Sequence, residues 1–221
     1  MTSRPAHLEH SAPAPLWWRP LHLIRANLRA YLVVNAAAYG LTLLGLVMGV
    51  LFPELNAARA VALEDDGTGE LVRGLVNSPP LFALVILGVN ISRLSLLTIV
   101  LPSLVVPFAG LALFAYWAVE TGITLAPADP EGWVILIPHS LTIALELQAY
   151  VLLLLGVYLL GRHWLVPRTV GATTRRQGYV RGLQRIGVLA IPALALLVVG
   201  AVWEAYSLRY LLHPLIQLLL H

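Results

Sequence analysis

Cysteine and lysine are both missing from the 221-residue chain. Without cysteine there are no disulfides, thiol nucleophiles or thiolate metal sites. Without lysine there is no Schiff-base chemistry, and all 14 basic residues are arginine. Charge of either sign is scarce at 11% of residues, against 59% hydrophobic residues and a mean hydropathy of +0.82. That balance describes a membrane protein rather than a soluble domain. A glycine-rich phosphate loop, a nucleotide motif, a recognisable serine, histidine and carboxylate set and an HExxH pair are absent as well. No repeat with a period of roughly 20 to 50 residues is visible. The chain is therefore expected to be no enzyme, to carry no cofactor or metal, and to bind no nucleic acid.

What the sequence does contain is a succession of apolar runs, which predicts an all-α polytopic bundle of about five transmembrane helices at roughly 20 residues per crossing. Residues 1–29 hold four prolines and four arginines and read as a cytoplasmic arm. The segment LWWRPLHLIRANLRAYL within that arm suits a helix lying at headgroup level. Residues 30–213 form a single membrane domain with spans near 30–52, 80–101, 103–126, 133–161 and 186–213, followed by a tail at 214–221. The NAARA motif after the first run imitates a signal-peptide cleavage site, but the run is too long for such a signal and is expected to stay as an anchor.

Arginine placement sets the expected orientation. Residues 162–185 carry six arginines and no acidic residue, whereas 53–79 carry five acidic residues against two arginines. By the positive-inside rule the first stretch is cytoplasmic and the second is outside. The amino terminus then lies inside and the carboxyl terminus outside, provided that 81–126 contains two spans joined by a proline turn in LPSLVVP. A re-entrant pair in that segment is the alternative.

A charge at mid-bilayer costs about 2.5 to 3.5 kcal/mol, so each one calls for a partner or a purpose. At about 1.5 Å per residue, Arg93 and Glu146 share a level near 20 Å below the outer helix ends, which predicts that they pair. Glu120 and His139 share a shallower level and form a second candidate pair, with Glu204 in the same outer half. His139, Thr142, Glu146 and Tyr150 are spaced along one helix face that must look inward. That face reads equally as a polar seam specifying which helices meet, or as the lining of a path for an ion or small solute. Gly45 and Gly49 have the small-xxx-small spacing that lets helix backbones approach, as at a dimer face.

The segment PHSLTIALELQAYVLLLLGVYLLG resembles the stage II sporulation protein M family of integral membrane proteins in its proline, histidine and glutamate followed by a glycine-containing apolar helix. VNISRLSLL and AVWEAYS resemble two further spans of that family, extending the likeness over about residues 25 to 210. Asn90 stands alone where the family often has a pair, and Ser140 replaces its usual glycine. The resemblance carries Asn90, His139, Glu146 and Glu204 over as the family's recurring polar positions. It implies a multi-pass protein of a bacterial inner membrane that scaffolds or anchors a cell-envelope assembly, with envelope or peptidoglycan-remodelling proteins as partners; a homodimer is expected beside them, in line with the Gly45 and Gly49 spacing. A channel or transporter built on the same polar face is the competing expectation.

Overall fold

The computed structural model describes residues 18–220. Residues 1–17 of the arm and the last residue of the tail lie outside that range. Every regular element among the described residues is helical. Among the described residues four helical stretches are long and apolar enough to cross a membrane, at Leu28–Leu51, Pro79–Val105, Pro130–Leu165 and Arg175–Tyr210, and they mark a membrane protein.

The arm ends in α1 (Trp18–Ala26), which buries Pro20 and Leu23 and leads into α2 (Leu28–Leu51). The acidic stretch that reads as an outer loop is folded into two helices, α3 (Pro53–Asp65) and α4 (Thr68–Leu75). Proline at the start of α3 presets its first turn. Gly67, at φ +80°, reverses the chain between the two helices.

The long second pass begins as α5 (Pro79–Val89), continues as a π-helix over Asn90–Val100, and ends as α6 (Leu101–Val105). Within the π segment, the hydroxyls of Ser95 and Thr98 donate to the carbonyls of Asn90 and Arg93, each five residues back, at 2.9 Å. The chain turns at residues 106–108, where Phe108 adopts a left-handed conformation at φ 67°. Its ring lies against Gly161, a site any side chain would fill. Ser103 ties the turn by accepting from the Gly110 amide at 2.9 Å.

The return pass, α7 (Ala109–Thr124), has 16 residues. At about 24 Å it is shorter than the roughly 30 Å hydrocarbon core. It runs parallel to α2, with Gly45 against Val119 and Gly49 against Ile123 and Ala126. Then α8 (Pro130–Leu165) and α9 (Arg175–Tyr210), 36 residues each, form an antiparallel pair, each started by a side-chain cap from Asp129 or Thr174. The first turns of α9 carry arginines that the sequence placed in a connecting loop, because a helix does not end where its apolar run does. Finally α10 (Leu212–Leu220) folds the tail back against α8 and α9.

The centre of the bundle is α8. From Ala149 to Gly161 only Tyr158 is less than fully buried, so this helix meets protein on all sides. The outward faces of its neighbours carry exposed Leu32, Leu43, Leu84, Leu97, Ile191 and Val199. Such a belt suits lipid, whereas in water it would be an aggregation surface.

Candidate functional site

The polar face of α8 is surrounded by α2, α7, α9 and the π-helix, and its contacts are divided among α2, α9 and the π-helix. Asn90, the first residue of the π-helix, donates its side-chain amide to Glu146 Oε1. His139 Nδ1 lies 3.8 Å from Glu204 Oε1 on α9, with both side chains about one-fifth exposed, at 24% and 18%. Trp203 Nε1, one residue before Glu204, donates to the carbonyl of Pro138 at 2.9 Å. Tyr39 of α2 donates to the Ala144 carbonyl at 3.0 Å, and Gln148 donates to the Tyr31 hydroxyl. The antiparallel register of α8 and α9 explains the pairing along this seam: Gly200 lies against the Glu146 stem, and one turn later Glu204 reaches the level of His139.

A small cavity of about 60 Å³ lies between α8, α7 and α2, lined by His139, Glu146, Tyr150, Thr42, Thr121 and Trp117. Its size is on the scale of one or two water molecules. Tyr150 is fully buried, its ring edge-on to Trp117 at 5.5 Å, and its hydroxyl has no hydrogen-bond partner. Thr142 is equally buried and its hydroxyl is likewise unpartnered, but it does not border the cavity. So the stripe of four residues divides: His139, Glu146 and Tyr150 share a chamber, and Thr142 packs beside it. Among the described residues no group of three or more histidines or carboxylates converges as metal ligands would.

Two pairings expected from depth are replaced. Glu146 is held by Asn90, and Arg93 is exposed without an ion pair among the described residues. The wider i→i+5 turn of the π-helix separates the faces of residues 90 and 93 more than an α-helix would, so only one of them looks at α8. Glu120 is paired not with His139 but with Arg59 of α3, at 3.2 Å, and it also accepts from the Tyr116 hydroxyl at 2.9 Å. Depth fixes only the level of a group, and the outer helix α3 competes for that level.

Helix α3 supplies the residues that the sequence did not single out. Asn56 donates to the carbonyls of Ile123, Thr124 and Ala126 at 2.9, 3.3 and 3.1 Å, closing the end of α7. Arg59, one turn on, reaches Thr124 and Glu120. Asn56 and Arg59 stand three apart in NAARA, the spacing of one helix face, which is the signal that could have revealed them. Gly45 and Gly49 serve close packing within one chain: the space each leaves is taken by α7. They are therefore unavailable as a face for a second copy.

No sequence-family profile, curated protein or solved structure matches the chain in comparisons with known proteins.

Proposed function

We propose that the chain is a non-enzymatic scaffold or anchor for a cell-envelope assembly in a bacterial inner membrane, crossing it five times with the arginine-rich end in the cytoplasm and the carboxyl terminus outside. The observation that carries this reading is the use made of the polar residues. Asn90, His139, Trp203, Tyr39 and Gln148 each make a contact that joins two helices. Groups spent in this way specify a packing arrangement, as interhelical polar bonds in membranes do. The likeness to stage II sporulation protein M supplies the envelope setting and peptidoglycan-remodelling proteins as partners. A homodimer in this setting would meet through the outward apolar faces, since Gly45 and Gly49 are occupied by α7.

A second reading, an ion or small-solute path, is favoured by the chamber holding Tyr150, His139 and Glu146. His139→Gln separates the two, because glutamine keeps a polar side chain of similar reach and removes the titration. In reconstituted liposomes the scaffold reading expects no His139-dependent proton or ion flux, and normal assembly of the variant. A robust flux from the parent that the variant loses would overturn it.

A further inference from the structure

At the arginine-rich end of the bundle a groove of about 870 Å³ opens between α2, α7 and α8. Its mouth carries Arg25, Arg29 and Arg162, and its walls are apolar, formed by residues such as Val33, Ala37, Leu41, Leu111 and Ala115. All three arginines are exposed and form no ion pair among the described residues. No acidic residue occurs within 18–29 or 162–185 to neutralise them.

We propose that this groove is a binding site for one anionic phospholipid from the leaflet on the arginine side, its phosphate held by Arg25, Arg29 and Arg162 and one acyl chain lying along α2. The inference rests on the membrane reading above. The shape argues for a lipid over a soluble anion. From Arg29 to Leu41 the wall follows α2 for about 18 Å, close to the roughly 15 Å depth of one leaflet's hydrocarbon. A soluble phosphate would use only the mouth. The charge argues for an anionic headgroup, since juxtamembrane arginines attract such lipids.

A second observation points to the same headgroup. Beside the groove lies another cavity of about 1060 Å³ that shares Ala26, Asn27 and Arg162 with it and adds Arg19 and Arg185. His163 borders that cavity, is 5% exposed, and has no partner for Nδ1. A buried ring nitrogen without a partner in a basic recess suits a polar headgroup seated over Arg162.

The test uses the full chain, purified in detergent and offered phosphatidylglycerol, phosphatidylcholine or inorganic phosphate, with retained lipid read by native mass spectrometry. Phosphatidylglycerol should be retained at least about tenfold better than phosphatidylcholine, and Arg29→Gln with Arg162→Gln should remove most of that preference. Both arginines are exposed, so folding is not at stake. Ala37→Phe, which fills the wall from an exposed position, should weaken retention of both lipids while leaving the arginines in place. Inorganic phosphate should not displace the lipid. Equal retention of the two lipids, indifference to both variants, or displacement by phosphate would each overturn the proposal. Flotation with neutral vesicles separates this from the parent reading: a chain that floats but shows no lipid preference sinks the site alone, and a chain that does not float sinks both.

Discussion

Glu146 sits on the central helix and, among the described residues, accepts from the side-chain amide of Asn90, a dependence that can be measured. Removing a hydrogen bond to a charged or polar buried group costs about 1.5 to 3 kcal/mol, while replacing both partners with apolar groups costs less than the sum. Asn90→Leu and Glu146→Leu should each lower the detergent melting temperature, and the double variant should show a coupling of about 0.5 kcal/mol or more. The same cycle with Arg93→Leu should be additive to within about 0.5 kcal/mol. The depth of Glu146 was legible from its distance along an apolar run; its partner was not, because level is one coordinate and helix rotation is another. A second residue-scale prediction lies outside the bundle. Arg73 donates to both carboxylate oxygens of Glu64, at 2.8 and 2.9 Å, and this hydrogen bonding holds the Glu64 carboxyl below its ordinary range. A depressed carboxyl pKa stabilises the fold above the unfolded value and loses that contribution as pH falls through the folded one. The pair is exposed, so its stability effect is small. An NMR titration should place Glu64 below a typical glutamate, and Arg73→Gln should move it back up.

Helix α2 meets α7 along glycines, and the cost of filling that seam depends on what stands opposite. A methyl on Gly122 would press on the Thr42 carbonyl and lie 2.7 Å from the Leu46 amide nitrogen, both backbone atoms that cannot turn aside. Gly122→Ala should therefore cost about 1 to 3 kcal/mol, whereas Gly40→Ala, with nothing within 4 Å, should be neutral or slightly stabilising. Thermal melts of the two variants against the parent decide this. Close packing by Gly45 and Gly49 was readable from their spacing, but whether the second helix belongs to the same chain was not, since small-xxx-small spacing is blind to its partner. The turn at the end of LPSLVVP was likewise readable from its prolines and from the length of the run around it. The π-helix was not: its hydroxyls bond five residues back, and apolar periodicity in a lipid-facing stretch is too weak to report a change of turn.

Across the whole molecule the passes alternate in direction, with residues 106–108, the end of α8 and the start of α9 at one end, and α3, the end of α7 and the start of α8 at the other. Under the orientation proposed above, the first of these ends is the cytoplasmic one. A reporter fused at Gly171 should accordingly be active only in its cytoplasmic form, and periplasmic activity there would reverse the arrangement. The all-helical class and most of the passes were legible in hydropathy alone. The folding of residues 53–79 into helices was not, because a polar stretch outside the membrane carries no apolar period to betray them.

The clamp of α3 on α7 also has a schedule. Asn56 emerges 70 residues before Ala126, one of the carbonyls it bonds. At ribosomal rates of about 5 to 20 residues per second, that interval is roughly 4 to 14 s. During it, Asn56 has been made and the last of the carbonyls it bonds has not. The contact that closes α7 can therefore form in full only once residue 126 has been added, so the seam between α3 and α7 belongs to the second half of synthesis.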